Sequence, residues 1–265
     1  MDQTLGPVSG LAIDWNRPWF AHWRELGEQV AGRVLARTPL HEALNEEQGS
    51  PVRFVDSAAL PVGEPYERYI FDSGNCPTRQ NLHDFFNGLC WLRLPRSKQR
   101  LNALQAGQIA AAGVGGARGP VRDAITVFDE NGALLQAPPA LWEALLAREW
   151  QRLFIELRPL WREARVMVFG HALLEKLAMP RKDITAHVWA ECPAGGSTDE
   201  VDGWLAAQFT PARLADKPFT PLPLLGIPGW WPENQNFSFY DDSLVFRTAR
   251  RKEPNTTAPH PPSRP

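Results

Sequence analysis

The chain has 265 residues, a formal net charge of −2, 43% hydrophobic and 22% charged residues. That balance excludes a wholly disordered chain and gives no general pull toward nucleic acid or an anionic membrane. No window approaches eighteen uninterrupted apolar residues. Asp2 stands where a secretory signal carries a basic residue, and Cys76, Cys90 and Cys192 form no CxxC pair. The expectation is a reduced cytoplasmic protein with no membrane span, structural zinc site or disulfide framework.

Residues 1–14 read as a flexible segment, 15–246 as one globular domain, and 247–265 as a disordered, basic, proline-rich tail. Trp19, Trp23, Leu26, Val30 and Val34 recur at spacings of three and four, which predicts a helix over 18–36. "LHEALNEE" reads as a short helix, and "VRFV" and "YERYIF" as short strands. In "NLHDFFNGLCWLRLPRSK", Thr78 is the expected cap, and Pro95 ends the helix at Leu94. This helix is apolar nearly all round and so is expected to be buried, with His83 and Asn87 on one face at i and i+4. "RSKQRLNALQAGQIAAA" is another helix. "GVGGARGP" is a loop without the lysine and hydroxyl residue of a P-loop.

Next, "RDAITVFDENGALLQA" predicts a β-hairpin. Ile125 and Val127 alternate in its first strand, Asn131-Gly132 forms a type I′ turn, and Asp129 and Glu130 are turn residues rather than ligands. Residues 139–164 carry apolar positions at helical spacing, divided by Pro159. "RVMVF", "HALLEKLAM" and "ITAHVWA" form a compact β-α-β crossover whose two strands are expected to be parallel. "STDEVDGWLAAQF" is a helix capped by Ser197 or Thr198, and residues 217–246 wind in extended form over the surface or along a groove. The sum is one α/β or α+β domain with a mixed sheet, a β-hairpin and a short crossover, packed by several helices.

Several long motifs occur in one order: "NLHDFFNGLCWLRLPRSKQRLNALQ", "RGPVRDAITVFDENG", "VMVFGHALLEK", "ITAHV" and "PLPLLGIPGWWPENQNFSFYDDSLVFR". Over roughly residues 15–247 the chain resembles the bacterial domain-of-unknown-function 3025 family. The resemblance implies no activity, cofactor or catalytic residue, so any site must be argued from the side chains.

A polar group taken out of water costs several kcal/mol (about 2–7) unless it is paired. His83 therefore needs a partner in its apolar helix, and its place near the helix N-terminus disfavours imidazolium. His171 opens a helix after the strand "RVMVF", where α/β folds bind ligands, and Glu175 follows one turn later. Asp123, beside Arg122, is a ligand, an orienting group or an arginine partner. His187 alternates with Thr185 and Trp189 on one strand face.

His83, Asp123, His171 and Glu175 together would suit a divalent metal ion (zinc, iron or manganese) with an activated water. Asn87 would then bond a small-molecule substrate, and His83 and His171 would serve as ligands or acid–base groups. No HExxH or zinc-knuckle spacing is present, and His83-Asp84 lacks the upstream histidine of metal phosphohydrolases. Cys90 reads as core, and Cys76 as an ordinary loop cysteine. The expectation is a metal-dependent hydrolase. The alternative is a non-enzymatic protein that binds nucleic acid or another protein through Arg93, Arg96, Lys98, Arg100 and the pair Trp230-Trp231.

Overall fold

A computed structural model describes residues 13–112, 119–190 and 195–248. Cys192, most of the glycine-rich loop, residues 1–12 of the expected flexible segment and residues 249–265 of the tail lie outside the described residues.

The N-terminal helical region begins with a 3-10 turn, Pro18–Phe20, and continues as α1 (Arg24–Leu35), with Trp19, Phe20, Trp23, Val30 and Val34 buried. After α2 (Leu40–Asn45), β1 (Arg53–Asp56) pairs in parallel with β2 (Asn75–Thr78) across α3 (Tyr66–Ser73). "YERYIF" is thus helix, not strand. Gly74 in the left-handed region (φ 68) closes α3, and Ile70 turns inward while Phe71 stays exposed. α4 (Leu82–Arg93) is capped by Asn81, whose side chain accepts from Asp84 N at 2.8 Å. The expected cap, Thr78, instead ends β2 and bonds Cys76 O. Pro95 opens α5 (Pro95–Ala112), a position where its missing N–H costs nothing. The next two amides, Arg96 N and Ser97 N, each reach the buried Asp202 carboxylate at 2.9 Å.

The expected hairpin is a helix followed by a strand: α6 (Pro120–Asn131), then β3 (Gly132–Gln136). Pro120 starts the helix, and the buried residues Val121, Ala124, Ile125 and Phe128 keep a helical period. Burial of that face prevails over the strand-like alternation. Gly132 has φ −72, so Asn131-Gly132 forms no type I′ turn.

β3 lies inside a four-stranded sheet of order β4-β3-β5-β6, with β4 (Arg165–Val168), β5 (Thr185–Trp189) and β6 (Phe219–Pro223). It runs antiparallel to β4, with Leu134 opposite Met167, and parallel to β5, with Ala133 opposite Val188. β4 and β5 are therefore antiparallel and not neighbours, contrary to the expected parallel crossover. The connection between them, through α8 (His171–Ala178), passes over β3.

Residues 139–164 form α7 (Pro139–Ala147), a π-helical turn at Arg152–Glu156 and a 3-10 turn at Arg158–Arg162. α9 (Thr198–Gln208) carries a full capping box from Ser197 and Glu200, and α10 (Pro211–Ala215) follows. The proline-rich stretch does not stay on the surface. After edge strand β6, Leu224, Leu225 and Ile227 are buried, and Asn234 donates to the carbonyls of Leu225 and Ile227. One hydrophobic core joins these elements into a mixed α/β fold. Among the described residues no helix is long and apolar enough to cross a membrane.

Candidate active site

Two helices with little reason in sequence to meet are held together here. The Cys90 thiol of α4 lies 3.3 Å from Phe169 O, at the end of β4. One residue on, Gly170 lets α8 start against the end of α6, since a Cβ there would sit 2.3 Å from Glu130 O. These contacts bring His83 of α4, His171 of α8 and Asp129 of α6 to one place.

His83 Nδ1 is 3.0 Å from Glu175 Oε2, and His83 Nε2 is 3.1 Å from His171 Nε2. The rings stand nearly perpendicular, at 85°. His171 Nδ1 faces Asp129 Oδ2 at 3.6 Å, too far for a hydrogen bond, and Lys98 Nζ donates to Asp129 Oδ1 at 2.5 Å. Glu175, His83, His171, Asp129 and Lys98 thus form one continuous polar chain. Lys98 and His171 are buried, whereas the His83 side chain keeps 28% of its exposure.

This arrangement constrains the protons. A carboxylate only accepts, so His83 Nδ1 carries a hydrogen toward Glu175. On His171, an unprotonated Nδ1 would set a lone pair against Asp129, so its hydrogen belongs on Nδ1 as well. Both Nε2 lone pairs then point into the same gap, and one added cation is needed between them. A single proton satisfies the pair.

The titration directions agree. Burial pulls His83 down, but Glu175 outweighs it and carries the imidazole above 6.5. Burial pushes His171 down to about 3 despite the attraction of Asp129. Burial would raise Asp129, yet Lys98 and the two histidines take it below the ordinary carboxylate value. The proton therefore rests on His83, with His171 as its neutral acceptor.

Both imidazoles open onto a cavity of about 470 Å³, within the usual range for small-molecule sites. Ile70, Trp91, Leu101 and Ile125 form apolar walls, and Tyr66, Asn87, Asn102 and Gln105 supply polar ones. Asn87, one turn after His83, lines the cavity and donates to Tyr66 OH at 3.3 Å.

The other candidates lie elsewhere or are otherwise engaged. Asp123 sits in the first turn of α6 and does not line the cavity; the carboxylate that faces His171 is Asp129, a helix residue and not the turn residue expected of a hairpin. His187 is half-buried on β5 against Phe219, away from the cavity, and burial lowers it. Asp84 accepts two bonds from the Arg79 guanidinium, at 2.9 and 3.1 Å, so the His-Asp dipeptide serves two different partners. Cys76 is buried, and desolvation pushes its thiol to about 11; burial also raises Cys90, so neither is an activated nucleophile. The expected basic patch is dispersed, with Lys98 buried on Asp129 and Arg100 bonded to Phe209 O. Trp230 packs against Trp19.

Among the described residues no group of three or more His, Cys, Asp or Glu could hold a metal ion. The donors a metal could find here are the two Nε2 atoms.

Residues 52–250 match the model of a family described as a protein of unknown function, DUF3025. The chain belongs to the DUF3025 family. Every residue lining the cavity falls inside the DUF3025 match, whereas α1 and α2 precede it. Comparisons with curated proteins and with solved structures returned no match.

Proposed function

We propose that this DUF3025 protein is an enzyme that performs acid–base catalysis, with hydrolysis as the reaction class, on a small molecule held in the cavity. The observation that carries the reading is the 3.1 Å approach of two Nε2 atoms whose outer nitrogens both face carboxylates. Such a pair holds one transferable proton at the cavity wall. His83 delivers it or withdraws it, Glu175 keeps the ring oriented, and neutral His171 takes the proton's other end. Asn87 is placed to hydrogen-bond the bound molecule. General acid–base catalysis of this type contributes about 10²–10⁴-fold.

The test is a screen of small esters, amides and phosphoesters with the wild-type protein and the His83→Asn and His171→Asn variants. Turnover that falls at least about a hundredfold in both folded variants supports the reading. Turnover indifferent to both overturns it.

Metal-assisted hydrolysis is the second reading. Two ligands on one ion, each at about 2.0–2.1 Å, lie roughly 3.0–3.4 Å apart, so the Nε2 spacing suits a shared ion as well as a shared proton. That version needs further donors from Asn87 or water, because the described residues supply no third His, Cys, Asp or Glu. Elemental analysis separates the two. Near-stoichiometric zinc, iron or manganese, lost in both histidine variants, puts a metal between the rings. The nucleic-acid alternative predicts affinity that falls steeply with salt.

A further inference from the structure

The same cavity indicates what kind of molecule it takes. This inference rests on the reading of the cavity as a substrate site and deepens it. Among the described residues four carboxylates line the cavity, and the two permanent cations beside them are both committed: Arg79 to Asp84 and Lys98 to Asp129. The carboxylates left over are Glu67 of α3 and Glu130 of α6. Among the described residues neither side chain has a hydrogen-bond or ion-pair partner.

An independent observation comes from α5, which lies between those helices. Gln105 lines the cavity at 3% exposure, and its buried Oε1 accepts no hydrogen bond. A buried acceptor left unmade is costly, and its presence in a cavity wall points to a donor that arrives with a ligand. Two uncompensated carboxylates and an unpaired amide oxygen are all acceptors. A protonated amine is all donor, with three N–H groups and one positive charge. The walls at Ile70, Leu101, Ile125 and Trp91 would receive its hydrocarbon part.

We infer that the ligand of this cavity is a small molecule with an apolar body and a protonated amino group, held by Glu67, Glu130 and Gln105 Oε1. An anionic substrate meets two uncompensated carboxylates on this side and is disfavoured.

The test uses three isosteric probes on the full chain at pH 7 and fixed ionic strength: hexylamine, 1-hexanol and hexanoate, with binding read by calorimetry and saturation-transfer NMR. Hexylamine is expected to bind at least tenfold tighter than the other two. The Glu67→Gln/Glu130→Gln double variant should lose that preference, and Gln105→Leu should weaken it. Both changes leave the core intact, which a thermal melt checks. His83→Asn should keep the preference, because it removes none of the acceptors that hold the amine. Equal binding of the three probes, no binding of any, or a preference that survives the double variant overturns the inference. Failure of the amine preference beside turnover that depends on His83 and His171 sinks this inference alone. An intact preference beside turnover indifferent to both histidines sinks the catalytic reading alone.

Discussion

Replacing Glu175 with glutamine tests the proton arrangement with little disturbance of shape. Glu175 is buried, its Oε2 accepts from His83 Nδ1 at 3.0 Å, and its Oε1 has no hydrogen-bond partner. A hydrogen bond to a charged group is worth about 1.5–3 kcal/mol against about 0.5–1.5 for a neutral one, so the change removes about 1–1.5 kcal/mol of preference for the imidazolium. His83 should therefore titrate lower in Glu175→Gln than in wild type. The fold should be little affected, because the amide also relieves a carboxylate of burial without a second partner. The assay is long-range ¹H–¹⁵N NMR of the histidine rings from pH 5 to 9, with His83 assigned by comparison with His171→Asn. A His83 value that stays put or rises in Glu175→Gln would show that the carboxylate does not hold the proton, and the shared-proton account would fall with it.

Asp129→Asn leaves the buried Lys98 ammonium without its counter-charge and should cost about 3–5 kcal/mol in urea unfolding, whereas Lys98→Met/Asp129→Leu should be milder than either single change. His171 is held near 3 in the fold against 6.5 unfolded, so the unfolded chain takes up a proton that the folded chain refuses, and stability is lost as pH falls through that window. Wild type should lose roughly 3 kcal/mol more than His171→Asn between pH 6.5 and 4. His83 works in the opposite sense: its contribution is complete below 6.5 and fades as pH rises through its raised folded value. Asp202→Ala uncaps the first turn of α5 at Arg96 and Ser97 and should lower stability by about 1–3 kcal/mol, and an unchanged melting temperature would contradict the capping role. Gly170→Ala drives a methyl into Glu130 O and should both destabilise the protein and shift the His171 resonances, since α8 must back away from α6.

The helices that sequence reading reached are those with a clear apolar period and a local cap, such as α4 with Leu82, Phe85, Phe86 and Leu89, and α9 with Ser197. The errors fall on segments that satisfy two periods at once. In α6, Ala124 to Phe128 alternate as a strand would, yet Val121, Ala124, Ile125 and Phe128 also share a helix face, and tertiary burial decided between them. That single misreading hid the acid of the site. In a strand Asp129 is a turn residue. On a helix it lies with Thr126 and Glu130 on one face, and all three line the cavity. His83, Asn87, His171 and Glu175 could be singled out because polar groups in apolar helices need partners. Lys98 and Gln105 could not, since nothing local shows that α5 turns them inward. The parallel-crossover expectation failed for a related reason: "GALLQ", read as half of a hairpin, is the strand that separates β4 from β5.

The two imidazoles sit 88 positions apart in the chain and meet only where α4 docks on α8. Each helix closes its backbone hydrogen bonds within itself, so an expanded state that keeps its secondary structure but loses fixed packing would retain its far-ultraviolet dichroism and lose the proton pair. The histidine resonances therefore double as a reporter of native assembly. In any engineered or truncated version of this chain, their titration would distinguish a protein that has merely collapsed from one that has reached its working form.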